Sequence, residues 1–220
     1  MPLKPFSPQQ LIIGLVLVIL IILIQIEIFG LVLSKLGLSR NGITILLIAT
    51  LIGSGINLPL TKLTSNFRLE NLPPSARYLI PLKFKEGYTL IAINVGGALI
   101  PAAFSVYLML HAELGILTTV LAISIISTIS YIFSRPIENL GIGMPLFIAP
   151  ISAALISMLL AQENSPALAY ISGTLGVLIG ADLLRVKNIR QLGVPVAAIG
   201  GAGTFDGIFI TGVIAVLLTY

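Results

Sequence analysis

Two aspartates, Asp182 and Asp206, are the only aspartates among the 220 residues, and both lie in the last two apolar runs of the chain. A charge inside an apolar segment is costly, so such a residue is a functional candidate by default. Two carboxyl groups that meet in a low dielectric share one proton, which lets one act as general base and the other as general acid. This chemistry hydrolyses peptide bonds, provided that the two side chains converge.

The two aspartates differ in their sequence surroundings. Asp182 is followed at i+3 by Arg185, so the alternative interpretation of Asp182 is an interfacial acid paired with this arginine. Asp206 lies among Gly203, Phe205 and Gly207, and no basic residue follows it. We therefore expect Asp206 to face the protein interior, a cavity or another polar group.

Other site chemistries have little support in the composition. The chain has no cysteine and one histidine, His111, so we expect no metal site and no cofactor. Glu27 is the one other acid well inside an apolar run, and its role is left open. The pI near 9.5 predicts contact of basic residues with anionic lipid head groups, and no nucleic-acid partner is expected.

The overall composition predicts an integral membrane protein whose principal partner is the lipid bilayer. Hydrophobic residues make up 57% of the chain and charged residues 9%, with a mean hydropathy of +1.10, whereas a soluble domain has about 25% charged residues. Runs of roughly 20 apolar residues are long enough to cross the hydrocarbon core. Seven such spans are predicted, at residues 11–33, 42–60, 88–110, 115–133, 143–161, 166–184 and 195–220. The predicted fold class is all-α, a polytopic transmembrane helix bundle forming one domain over residues 1–220.

The basic residues predict the orientation in the cell membrane. With seven spans, ten of the twelve Lys and Arg residues fall on one side, and only Lys35 and Arg40 fall on the other. The positive-inside rule makes the side with ten cytoplasmic, so the N-terminus is cytoplasmic and the C-terminus external. The long cytoplasmic loop 61–87 is either a lipid-anchored connector or a substrate gate.

Glycines and prolines mark the predicted binding segments. Three glycines within Gly200–Gly203 are a poor helix interior, so the last span is expected to be broken there. A helix starting near Thr204 would bring the two aspartates to similar depth. A regular helix from Pro195 would instead put Asp206 about 16 Å deeper than Pro195 and would separate the two aspartates. The expected substrate-binding residues line such breaks, with close helix packing as the alternative. They are Asn94, Gly96, Gly97, Pro101, Gly201, Gly203 and Gly207.

The segment Gly201–Phe209 resembles the Gly-x-Gly-Asp element of presenilin and signal-peptide-peptidase type intramembrane aspartyl proteases, and Ala181-Asp182-Leu183 is similar to the aspartate motif of their preceding span. This resemblance implies catalysis by Asp182 and Asp206 on a transmembrane peptide. The chain departs from the pattern, because Thr204-Phe205 separates the second glycine from Asp206 and no Pro-Ala-Leu element follows.

A longer resemblance covers nearly the full chain. Stretches at 94–101, 135–136, 141–150, 179–183 and 200–208 together resemble a bacterial and archaeal multi-pass membrane family, domain of unknown function 1614. That family implies a membrane location and supplies no activity. Three functions therefore stay open: a diaspartyl intramembrane protease, a proton- or cation-coupled transporter of a small solute with a midplane site at Asp206, and a non-catalytic membrane scaffold. The oligomeric state is not predicted.

Overall fold

The computed structural model describes residue 16 and residues 26–71, 86–137, 141–201 and 207–219. Within these ranges the chain is mostly helical, and residues 26–35 form the first helical segment. The helices that follow are α1 (Arg40–Ser54), α2 (Ile100–His111), α3 (Ile116–Phe133), α4 (Ile148–Leu160), α5 (Ser165–Val177) and α6 (Gly207–Leu218). Short 3-10 turns lie at Leu69–Asn71 and Val186–Gln191.

Strands accompany these helices, so the prediction of an all-α fold is wrong in this respect. They are β1 (Asn57–Thr64), β2 (Tyr88–Asn94), β3 (Arg135–Ile137), β4 (Gly141–Gly143) and β5 (Val196–Ile199). One sheet has the order β1-β2-β5, with β1 antiparallel and β5 parallel to β2. The other sheet is the antiparallel pair β3-β4. Apolar periodicity misses such strands because short apolar runs read equally well as parts of helices.

Two helices carry π turns at the ends that face the larger sheet. Val95–Leu99 joins β2 to α2, and Leu178–Leu183 extends α5. The prediction that Pro101 breaks its helix is corrected, since Val95–His111 is continuous. Pro101 lies in the first turn of α2, directly after the π turn, where the wider backbone relieves the usual clash of the proline ring with a preceding carbonyl.

Helix α5 occupies the centre of the bundle and packs against α2, α3, α4 and α6. Most of its residues are buried, and small side chains permit the close approach. A Cβ at Gly176 would lie 2.6 Å from Ile126 Cγ2 on α3, and one at Gly212 would lie 2.5 Å from Thr174 Oγ1. The π turn that carries Asp182 therefore extends from the most enclosed helix of the bundle.

Two helical segments, Ile116–Phe133 and Ser165–Leu183, are long and apolar enough to cross a membrane among the described residues. They match the predicted spans 115–133 and 166–184. The other described helices are apolar but shorter, at Arg40–Ser54, Val95–His111, Ile148–Leu160 and Gly207–Leu218. Strands β1, β2 and β5 occupy parts of the predicted spans 42–60, 88–110 and 195–220. Most of the predicted span 11–33 and residues 72–85 of the predicted loop lie outside the described residues.

Candidate functional site

Asp182 lies in the π turn that ends α5, and its side chain is half-buried. Its Oδ2 accepts a hydrogen bond of 3.0 Å from the backbone N–H of Gly200. A carboxylate that accepts a backbone N–H makes a charge-assisted hydrogen bond, which fixes both partners. The hydrogen bond therefore ties the end of α5 to the start of the Gly-rich segment that leads to Asp206.

Arg185 is directed toward α3. Its Nη2 donates to the carbonyl oxygen of Tyr131 at 2.7 Å, and its Nε donates to Ser134 Oγ at 3.3 Å. The guanidinium also stacks on the Tyr131 ring, 4.2 Å from the ring centroid.

The backbone turns sharply after β5. Gly200 has a φ of 82° and Gly201 a φ of 76°, both in the region that glycine adopts without strain. The Gly201 N–H donates to the Ala198 carbonyl at 3.1 Å, which closes the turn. The prediction that this stretch is not regular helix is thus confirmed for Gly200 and Gly201, while Ala202 and Gly203 lie outside the described residues.

The β5 turn and the β2–α2 junction cross in close contact. A Cβ at Gly97 would collide with the carbonyl oxygen of Gly200, and a Cβ at Gly200 would lie 2.6 Å from Ala98 Cβ. On the other side of this junction, a Cβ at Gly96 would collide with the Thr50 carbonyl and the Ser54 nitrogen of α1. Glycines at these positions have no Cβ and therefore allow three backbone segments to meet. This is the role expected from the close-packing alternative of the sequence analysis.

Asn94 holds this crossing together and is fully buried. Its Oδ1 accepts from the Gly97 N–H at 2.6 Å, capping the π turn. Its Nδ2 donates to the Ser54 carbonyl at 2.8 Å and to Asn57 Oδ1 at 3.0 Å. Both amide protons and the acceptor oxygen are occupied by the protein, so we assign Asn94 a positioning role.

A cavity of about 270 Å³ lies beside Asp182. Strand β5 and Gly201 form one wall, and Gly141 and Ile142 of β4 contribute to another. The remaining described lining residues are apolar: Ile189, Leu192 and Val194. Asp182 is the one ionisable group among the described residues that line this space. The other lining side chains are apolar, and backbone groups contribute further polar surface to the wall.

The second aspartate, Asp206, and the neighbouring Gly203 lie outside the described residues. The chain on either side of them is described. Gly201 lines the cavity, and Gly207 is the first residue of α6. Ile208, in the first turn of α6, belongs to the same buried core cluster as Ala181 and Ile199. Both ends of the segment that contains Asp206 therefore pack near the element that carries Asp182. Glu27 is exposed on the first helical segment.

Sequence reasoning missed two parts of this site. One is β5 itself, although a short run containing valine and isoleucine between Pro195 and Gly200 is a strand signal. The other is the β3–β4 hairpin, whose Gly141 and Ile142 line the cavity. Its three-residue strands leave no readable periodicity, so no sequence signal could have identified it.

Residues 51–218 match the family model described as "Protein of unknown function (DUF1614)". The match covers well over half of the chain and includes Asp182, Asp206 and both Gly-rich junctions, so the chain belongs to this family. No curated protein and no solved structure matches the chain.

Proposed function

We propose that this member of the DUF1614 family is a multi-pass membrane protein that cleaves transmembrane peptides with an aspartyl pair, Asp182 and Asp206. The membrane part of the proposal is supported by large apolar side chains that face outward from the helices. Leu110, Ile116 and Leu159 are 77–82% exposed, and Ile45 on α1 is 68% exposed. Such surfaces are stable against lipid and costly in water. The orientation proposed is N-terminus cytoplasmic and C-terminus external, with about seven spans.

One observation carries the catalytic proposal, namely the hydrogen bond from the Gly200 N–H to the Asp182 carboxylate. It holds Asp182 at the start of the segment that contains Asp206. The packing of Ile208 in one cluster with Ala181 and Ile199 holds the far end of that segment nearby. Gly200 thus contacts Asp182 directly, and Ile208 packs in the same core cluster as Ala181, the neighbour of Asp182 in sequence. Both contacts favour a position of the second carboxyl group near the cavity that Asp182 lines.

In the proposed reaction the two carboxyl groups share one proton. The ionised carboxylate accepts a proton from water as the water oxygen bonds to the peptide carbonyl carbon. The protonated carboxyl group then donates its proton to the amide nitrogen as the carbon–nitrogen bond breaks, giving a carboxylic acid and an amine. The roles of the two groups are exchanged at the end of the cycle.

The test is cleavage of single-span fusion proteins with Leu/Ala transmembrane segments by the purified chain in proteoliposomes. Asp206→Asn and Asp182→Asn each preserve side-chain shape and remove the titratable carboxyl, so each should abolish cleavage. Glu113→Gln, which removes an exposed acid in a loop, is the matched control and should cleave at the wild-type rate. Full cleavage by folded Asp206→Asn would refute the proposal.

A second candidate function is proton- or cation-coupled transport, and the paired π turns favour it. Val95–Leu99 and Leu178–Leu183 are π turns at the ends of apolar helices, next to glycine-mediated close contacts. Such π turns are frequent at functional sites, and irregular helices line binding sites in transporters. Dye-reported proton flux into proteoliposomes separates the candidates. A transporter that depends on Asp206 alone would keep partial flux in Asp182→Asn, whereas the protease loses all cleavage in that variant.

A further inference from the structure

A second cavity lies at the opposite end of α5 from Asp182, beside Pro166 and Ala167. Its volume of about 340 Å³ falls in the range of small-ligand pockets, about 300–1,000 Å³. Leu36, Leu108 and Ala167 line the cavity and also belong to the buried core cluster that joins the first helical segment, α2, α5 and α6. The cavity is therefore built on packed elements, which hold its polar groups in fixed positions.

Lys35, at the end of the first helical segment, supplies a cation to the lining of this cavity. Its Nζ donates to the carbonyl oxygen of Thr219 at 2.7 Å, which holds the ammonium group beside the end of α6. An ammonium group has three N–H donors, so it can bind a second acceptor while it keeps this one. A phosphate oxygen is such an acceptor, and lysine binds phosphate as a point charge.

His111 and Glu163 supply hydrogen-bond acceptors to the same lining. His111 Nδ1 lies 2.8 Å from the Tyr107 carbonyl oxygen. Because a carbonyl oxygen only accepts, Nδ1 carries the proton in this contact, and Nε2 of the neutral ring is an acceptor. The imidazole also stacks on the Tyr107 ring with 4.1 Å between the centroids, and Tyr107 itself lines the cavity. A carboxylate, an acceptor nitrogen and an aromatic ring together suit a primary ammonium group.

We propose that this cavity binds the head group of a phospholipid that carries a primary ammonium group, as phosphatidylethanolamine does. The phosphate contacts the Lys35 ammonium, and the ammonium of the lipid contacts Glu163 and His111 Nε2. One lysine and one glutamate among the described lining residues match a ligand with one negative and one positive charge. An anionic head group without an ammonium group would leave the Glu163 carboxylate facing a like charge.

Exposed side chains near the cavity favour a membrane lipid over a soluble zwitterion. Leu110, directly before His111 in α2, is 77% exposed, and Tyr107, one turn earlier, is 45% exposed. Acyl chains cover apolar surface of this kind, and tyrosine is typical of the membrane–water interface. In the proposed orientation this end of the bundle lies at the external leaflet. The lipid site involves neither aspartate, so it does not depend on whether the chain is a protease or a transporter.

The test is native mass spectrometry of the full chain, delipidated in detergent and then mixed with phosphatidylethanolamine, phosphatidylcholine or phosphatidylglycerol. Phosphatidylethanolamine should be retained about tenfold better than the other two lipids. The quaternary ammonium of phosphatidylcholine has no N–H to donate, and phosphatidylglycerol has no ammonium group. Lys35→Gln and Glu163→Gln should each abolish this preference. The matched controls Lys62→Gln and Glu113→Gln neutralise exposed residues outside the cavity and should keep it.

Lys35→Arg keeps the positive charge and should keep most of the retained phosphatidylethanolamine, which separates loss of charge from loss of folding. Circular dichroism checks the folding of each variant. Phosphoethanolamine without acyl chains, added at the concentration of the lipid, should leave the bound lipid in place, and displacement of the lipid would overturn the choice of a membrane lipid. Equal retention of the three lipids by the wild type, or an unchanged preference in folded Lys35→Gln and Glu163→Gln, would overturn the proposal.

Discussion

Replacing Gly200 with alanine tests the backbone crossing on which the site depends. The φ of 82° at this position costs an alanine about 1–2 kcal/mol. The added Cβ would also lie 2.6 Å from Ala98 Cβ and 2.7 Å from the Ala98 nitrogen. These are backbone or backbone-proximal atoms that cannot rotate away, and overpacking of this kind costs about 1–3 kcal/mol more. Gly200→Ala should therefore destabilise the fold by about 2–5 kcal/mol.

Gly87→Ala is the matched control for this substitution. Gly87 has nearly the same φ, 81°, but no atom lies within 4 Å of its added Cβ. It should therefore lose only the conformational contribution of about 1–2 kcal/mol. Unfolding followed by far-ultraviolet circular dichroism in one detergent gives both values. Equal losses in the two variants would show that the crossing at Gly97 and Gly200 is not tightly packed, and would refute the reasoning.

The remaining predictions concern positioning and topology. Asn94→Ala removes the partner of the buried Gly97 N–H and of the part-buried Ser54 carbonyl, and it should cost about 1–3 kcal/mol in the same unfolding assay. The exposed Asn41→Ala should change stability by less than about 0.5 kcal/mol, and similar losses in the two variants would remove the positioning role of Asn94. Arg185→Lys keeps the charge but loses the planar stack on Tyr131, and it should cost about 1 kcal/mol of stability. In a double-mutant cycle, most of this loss should disappear when Arg185→Lys is made in the Tyr131→Leu background. Reporter fusions at Thr64 and at the C-terminus should lie on opposite sides of the membrane, and the same side would mean an error in the number of spans.

The fold could be predicted from sequence where apolar length decided it. The span 115–133 and the helix Ile116–Phe133 agree almost residue for residue, because a continuous apolar run without glycine or proline has one stable form in a low dielectric. The last predicted span, 195–220, is not a single helix in the described residues. Its apolar run contains both β5 and α6, and composition does not distinguish a buried strand from a buried helix.

For the candidate site, the sequence selects residues but does not predict their contacts. The scarcity of ionisable groups in apolar runs selects Asp182 as a candidate, since burying charge is costly wherever it occurs, and the structure places Asp182 beside a cavity. Its partner Gly200 could not be inferred, because that hydrogen bond depends on a positive-φ turn and on the crossing with Gly97. Likewise, Asn94 looked like a substrate ligand in sequence. Only its three hydrogen bonds to Ser54, Asn57 and Gly97 reveal a cap.

The central claim is that Asp182 and Asp206 meet, and the composition permits a direct measurement. Because the chain has only two aspartates, cell-free synthesis with aspartate labelled with ¹³C at Cγ places two labels in the whole protein. Dipolar recoupling by solid-state NMR in proteoliposomes then reports a single carbon–carbon distance. Two carboxyl groups bridged by a proton or one water predict about 6 Å or less. A sample in which the labels show no dipolar coupling would place the aspartates in separate environments and contradict the account.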